Sequence, residues 1–301
     1  MSDDQVFVNF SMNCLPARRD DGYASPPSWD AARGAVEGFC QLVADAGMGA
    51  TLFVASDVCK RQREALRGLD NAGVEMGLLS DPRLEGFRGY LTSYKIDQQK
   101  EVISMGCSRF GDAFGREPET FRPAEFSANT DTFIAVCELG FHQGSFSLPE
   151  RHVTACGSNW RGAYPFAHHV DPLDVLQPGT LELYDVPVTS DLDKTTLNGQ
   201  EEFTPLFLGT EQADIETHAA FLVAQHLARM KRDDVHVKTI SCLSTNCGDY
   251  AGADGRGAKM LALVIDTIRR EADKHGMVIV PATFEQIHSE ADRMYEAGKQ
   301  T

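Results

Sequence analysis

Short apolar runs alternate with amphipathic helical stretches along most of the chain, and no other feature narrows its fold as far. Gln5-Val-Phe-Val-Asn-Phe10 is an apolar run bounded by polar residues, the pattern of a strand buried on both faces. Pro26-Pro-Ser-Trp-Asp follows, with Ser28 placed to cap a helix over 29–45. Ala50-Thr-Leu-Phe-Val54 is the next strand, and 59–72 is the helix after it. Strands at 73–79 and 120–122 enclose a long amphipathic helix over 93–114. A helix at 130–139, strands at 143–146 and 180–187, a helix at 218–230, a strand at 237–243, a helix at 259–275 and a strand at 278–280 complete the series.

Parallel neighbours need a long crossover, which a helix usually supplies, so this order predicts an α/β protein with a parallel sheet. Some seven such units favour a closed or nearly closed barrel over an open sheet. Neither a low-complexity linker nor an internal repeat interrupts the series, so 1–301 is expected to form one domain. The irregular stretch at 148–178 is the exception. Its length points to a functional or interface loop rather than a linker.

With 42% apolar residues in 301, the chain can bury a large core. Its net charge of −16 argues against nucleic acid, because no basic stripe is present to neutralise phosphates. The same acidity disfavours docking on an anionic membrane. Met1-Ser-Asp-Asp-Gln opens acidic and no apolar run approaches a membrane span, so a cytoplasmic protein is expected. The eight cysteines form no CxxC pair, in keeping with reduced thiols.

The segment Glu119-Thr-Phe-Arg-Pro-Ala-Glu-Phe reads as a strand end and a polar loop, followed by an amphipathic helix closed by Gly140. It places Arg122 and Glu125 where a strand meets its loop, the position at which α/β enzymes build their sites.

Five pieces in register, Gly49-Ala-Thr-Leu-Phe-Val54, Gly73-Val-Glu-Met-Gly77, Phe121-Arg-Pro123, Leu139-Gly-Phe141 and Thr180-Leu-Glu-Leu-Tyr-Asp-Val-Pro187, resemble the polysaccharide deacetylase superfamily. This is the NodB-homology group, or carbohydrate esterase family 4. The resemblance implies a distorted (β/α) barrel of about seven parallel strands and hydrolysis of an N-acetyl or related amide. It also implies a divalent metal held by one Asp and two His, with a second Asp as base. Such a metal lowers the pKa of a bound water and polarises the carbonyl, and the carboxylate takes the proton.

The residues at those positions are of other types. After the first strand the chain reads Asn9-Phe-Ser-Met-Asn13, which puts Ser11 at the base and Met12, a soft thioether, at the metal-binding Asp. Gly77-Leu-Leu-Ser-Asp-Pro-Arg83 puts Leu79 and Arg83 at the two His positions. Ser244-Thr-Asn-Cys247 stands where a late His is expected. No metal and no cofactor are therefore expected. Arg122 does match, at the position where the family's Arg orients the base.

If the resemblance holds, Ser11, Asn13, Asp81, Arg122, Glu125 and Asn246 surround the barrel mouth. Arg122, Glu125 and Asp81 are then the candidates for metal-free acid–base work, and Ser11, Asn13 and Asn246 for substrate binding. The plainer alternatives are an ordinary Arg122–Glu125 polar pair and a turn or cap role for Asp81 before Pro82.

Three other clusters carry chemistry-bearing residues. His168-His-Val-Asp171 offers imidazoles and a carboxylate, but adjacent side chains diverge on extended backbone, so a surface loop or subunit contact is the plainer reading. Cys242 and Cys247 read as buried structural cysteines before nucleophiles. Gly248-Asp-Tyr-Ala-Gly-Ala-Asp-Gly-Arg-Gly257 lacks the Lys-Ser/Thr ending of a phosphate loop and reads as a loop before a helix.

Two functions remain: a deacetylase-like hydrolase of carbon–nitrogen bonds in a sugar or other small amide, or a non-catalytic relative. The relative would bind a small-molecule or carbohydrate ligand, or a protein partner, at the mouth or through its loops. A homo-oligomer is compatible with both.

Overall fold

The computed structural model describes residues 4–19, 22–194, 196–197, 205–208 and 215–299. Its elements in chain order are β1 (Gln5–Cys14), α1 (Trp29–Asp45), β2 (Gly49–Ala55), α2 (Ser56–Arg61), α3 (Arg63–Asn71), β3 (Glu75–Ser80), α4 (Ile96–Phe114), β4 (Thr120–Pro123), α5 (Thr130–Glu138) and β5 (Gln143–Gly144). Then come β6 (Arg151–Val153), β7 (Ser158–Asn159), β8 (His168–His169), β9 (Tyr184–Asp185), β10 (Thr196–Leu197), α6 (Ile215–Arg232), β11 (Thr239–Thr245), α7 (Arg256–Lys274), β12 (Val278–Pro281) and α8 (Phe284–Lys299).

The strands β11-β1-β2-β3-β4-β5-β9 run side by side and parallel, which bears out the expected α/β sheet of about seven strands. β8 adds an antiparallel edge beyond β9, and β12 pairs in parallel with the first half of β1. The sheet curls until its ends approach: Thr189 N–H donates to Ser241 O, and Leu208 N–H to Leu243 O. Among the described residues, no helix is long and apolar enough to cross a membrane.

Local signals account for most elements. Ser28 Oγ accepts from Ala31 N–H at 3.1 Å and starts α1 as expected. Asn129 and Thr132 form a reciprocal capping box for α5. The helix expected over 59–72 is broken into α2 and α3 at Gln62, whose backbone leaves the helical region and whose amide donates to Trp29 O. The strand expected over 180–187 narrows to Tyr184–Asp185, although Leu181 N–H and Val186 N–H still bond to Val170 O and Gly144 O on either side. The long loop at 148–178 holds β6, β7 and β8. α8 was not expected from the apolar pattern. Its local signal is the reciprocal pair Thr283 and Gln286, each side chain accepting the other's backbone N–H.

The barrel interior is layered by the two-residue strand period. At the end where the strands begin, a polar layer joins Asn9, Thr51, Glu75, Thr120 and Gln143. The Glu75 carboxylate accepts from Thr51 and Thr120 hydroxyls and from Phe284 and Glu285 N–H, and so seats the first turn of α8 on the barrel floor. Above it lie Ser11, Phe53 and Arg122. Gly77 makes room there, since a Cβ would lie 2.9 Å from Thr120 O and 3.0 Å from Phe53 Cδ1.

Candidate binding cleft at the barrel mouth

Arg122 is fully buried near the end of β4. Its Nη1 donates to Asn13 Oδ1 at 2.8 Å and its Nη2 to Ser11 Oγ at 2.9 Å, while Ser11 Oγ donates to Cys242 O at 2.9 Å. The guanidinium carbon sits 3.8 Å from the centre of the Phe53 ring. Burial works against its charge, and Asp185 favours it. Asp185 is itself pushed up to about 6 by burial, against hydrogen bonds from the Ser147 hydroxyl and Phe146 N–H. The β1 and β4 residues named from the sequence therefore do meet, but in the packed interior of the barrel rather than on an open surface.

Glu125 lies elsewhere. It takes left-handed backbone angles (φ 56°, ψ 17°), which point its carboxylate to Arg151 at 3.1 Å. Arg122 and Glu125 do not pair. Asn246 grips the Leu15 backbone, accepting from its N–H and donating to its carbonyl, and so joins the loops after β11 and β1.

Asp81 follows β3 and is clasped by two arginines. Arg83 Nε and Nη2 reach its two oxygens at 2.7 and 2.8 Å, and Arg19 Nη1 reaches Oδ2 at 2.9 Å. The Asp81 side chain is 3% exposed and Arg19 5%, so the clasp is well shielded from solvent. Asp81 also accepts from Arg83 N–H and caps the turn that begins at Pro82, the role its neighbour Pro82 suggested. The Arg83 guanidinium lies 3.8 Å from the Tyr23 ring centre and 4.8 Å from that of Tyr90. Its Nη1 is buried with no hydrogen-bond partner.

Beside this clasp a cleft of about 460 Å³ opens between the loops after β1 and β3. Arg18, Arg19, Arg83 and Arg88 line it together with Trp29, Phe87 and Asp57. Arg18, Arg19 and Arg88 were not among the residues singled out from the sequence. The signal for them is a concentration of arginine at two neighbouring strand ends in a chain of net charge −16. The cleft lies at the carboxyl ends of parallel strands, where ligands of α/β folds usually bind.

The remaining clusters separate. His168 is buried with Nδ1 on Phe166 O, and His169 turns the other way, toward α8. Asp171 accepts from Leu173 and Asp174 N–H in a local turn. Burial pushes the thiols of buried Cys242 and half-buried Cys247 up, which disfavours the reactive thiolate.

No family model and no curated protein matches the sequence. The architecture is similar to that of solved structures. A protein of Mycobacterium smegmatis described as a polysaccharide deacetylase superposes with a TM-score of 0.63 at 16% identity, over 98% of this chain and 92% of that one. One from Pseudomonas aeruginosa, described in the same terms, gives 0.62 at 15% identity over 97% and 92%. The fold is that of the polysaccharide deacetylases. The PuuE allantoinase shares it, with a TM-score of 0.58 at 13% identity over 95% of this chain and 90% of that one.

The polysaccharide-deacetylase fold carries an expectation of a divalent metal at the mouth. The residues that the resemblance assigns to that metal do not fit one. Met12 is fully buried among core side chains, Leu79 packs in the same cluster, and Arg83 brings a positive charge already committed to Asp81. Asp81, the carboxylate that follows β3, is held by two guanidinium groups that a cation would have to displace.

Proposed function

We propose that this chain is a non-catalytic protein on a polysaccharide-deacetylase fold, which binds a small anionic molecule in the arginine-lined cleft at the barrel mouth. The observation that carries the reading is the clasp of Asp81 by Arg19 and Arg83. Both oxygens of that carboxylate are already engaged by guanidinium groups, so neither is turned toward a substrate. Ser11, Asn13 and Arg122 hydrogen-bond to one another inside the barrel, with Ser11 and Arg122 fully buried. The cleft alongside keeps Arg18 and Arg88 exposed, and guanidinium forks match carboxylate and phosphate geometry. Trp29 and Phe87 would cover the apolar part of such a ligand.

The hydrolase reading rests on fold likeness and on the Arg122 position, and fold alone does not carry activity. One experiment separates the two. Thermal-shift and calorimetric titrations would compare sugar acids and phosphorylated sugars with N-acetylglucosamine and a cyclic ureide, with acetate and ammonia release followed in parallel. Binding of the anions alone, lost at least tenfold in Arg88→Ala, is expected. Turnover of a neutral amide, or anion binding undiminished in both Arg88→Ala and Arg18→Ala, would overturn the reading.

A further inference from the structure

We propose that His169, His288 and Asp292 form a binding site for a divalent transition-metal cation of the zinc type, away from the mouth and on the outer edge of the barrel floor. The site is independent of the arginine cleft and of the reading drawn from it.

The three residues come from distant parts of the chain. His169 stands on β8, the outer strand of the sheet, while His288 and Asp292 lie one turn apart on one face of α8. His169 Nε2 is 3.2 Å from Asp292 Oδ1, and His288 Nε2 is 3.6 Å from Asp292 Oδ2. All three donor atoms lie within 4.8 Å of one another. Ligands at about 2.0–2.2 Å from a tetrahedral zinc sit roughly 3.3 Å apart, so a small inward shift would complete the set.

The rings are also held in the orientation that metal binding needs. His169 Nδ1–H donates to Leu181 O at 3.0 Å, and His288 Nδ1–H donates to Gln143 Oε1 at 3.1 Å. The Gln143 amide is itself oriented, because its Nε2 donates to Thr120 Oγ1 at 2.8 Å. Both imidazoles therefore turn Nε2 toward one carboxylate, the arrangement by which outer partners fix metal-ligating histidines. Tyr184 holds both rings in place, stacked on His288 with centres 5.1 Å apart and edge-on to His169 at 5.0 Å. Asp292 is 54% exposed, so ions can enter from solvent and a fourth position is left to water.

The same distances would arise from plain histidine–aspartate ion pairs, and metal titration distinguishes the two. The full-length protein, stripped with chelator and kept reduced, would be titrated with Zn2+ by calorimetry and with Co2+ by visible absorption, and its melting temperature followed. One equivalent of Zn2+ per chain, a zinc-dependent rise in melting temperature and a Co2+ spectrum free of thiolate charge transfer are expected. His288→Gln and Asp292→Asn should each weaken binding at least tenfold, and Asp292 is exposed enough that its variant keeps the fold. Cys247→Ser should bind as the parent does. No saturable binding in the parent chain, undiminished binding in both ligand variants, or a thiolate signature on Co2+ would overturn the proposal.

Discussion

Arg122 rests with its guanidinium carbon 3.8 Å above the ring of Phe53, in the middle of the barrel. A charge so deeply buried is tolerated because Ser11 and Asn13 accept from it, the ring faces it, and Asp185 opposes the cost of burial. Arg122→Ala should then cost about 3–5 kcal/mol, from the lost volume and from Asn13 and Ser11 losing their donor. Arg122→Met, which restores volume without charge, should cost much less, about 1–2 kcal/mol. Urea denaturation of both variants checks this, and equal losses would show that the charge rather than the packing is needed.

Glu75 ties two barrel strands to the first turn of α8 through four accepted hydrogen bonds. Burial pushes its carboxyl up, and those four donors hold it down. Glu75→Ala would leave two hydroxyls and two N–H groups without their acceptor, for an expected loss of about 3 kcal/mol. Hydrogen exchange should show α8 amides opening before the rest of the barrel. Uniform opening across the fold would show that α8 is anchored elsewhere.

Two glycines in helices should respond in opposite ways to alanine. A Cβ on Gly38 of α1 would lie 2.0 Å from Tyr250 O, so Gly38→Ala should destabilise by about 2–3 kcal/mol despite better helix propensity. Gly68 of α3 has open space around it, and Gly68→Ala should stabilise by about 0.5–1 kcal/mol. Thermal denaturation of the pair is the check.

His226 is buried in α6, and its Nε2–H donates to Ser190 O at 2.8 Å. Burial pushes it down to about 4, with Arg229 acting in the same direction and Asp191 against it. Below about pH 6.5 the unfolded chain takes up a proton that the folded ring refuses until about pH 4. Stability from this group is therefore full above pH 6.5 and falls as the pH drops through that window, by up to about 3 kcal/mol. Asp185, pushed up to about 6, acts in the opposite direction over much of the same range. The comparison is therefore parent against His226→Gln, and the stability difference between them should move in the variant's favour by up to about 3 kcal/mol as the pH falls from about 6.5 to about 4. Parallel curves would remove His226 as a source of acid sensitivity.

Much of the fold was legible from local patterns. The apolar runs marked the strands, Ser28 marked the start of α1, and the strand–helix alternation implied the parallel sheet. At the site, only the turn role of Asp81 was legible, because the Arg83 N–H it caps lies two residues away. Glu125 was misjudged in its direction: a left-handed backbone angle turns it to Arg151, and residue type alone does not encode that angle. Arg19 lies 62 residues from Asp81, so the second half of the clasp had no local signal.

The sequence by itself determined the elements and their order, because periodicity, caps and strand propensity act over a few residues. Only the tertiary structure decided which polar groups meet. Barrel closure carries Arg122 to Ser11 across 111 residues and hands His288 to Gln143 across 145. Burial then makes each of those groups find a partner, since an unpaired polar group inside costs more than most single contacts return. That is why Arg122, placed at the mouth by its motif, is a packed part of the core, while the loops after β1 and β3 line the open cleft.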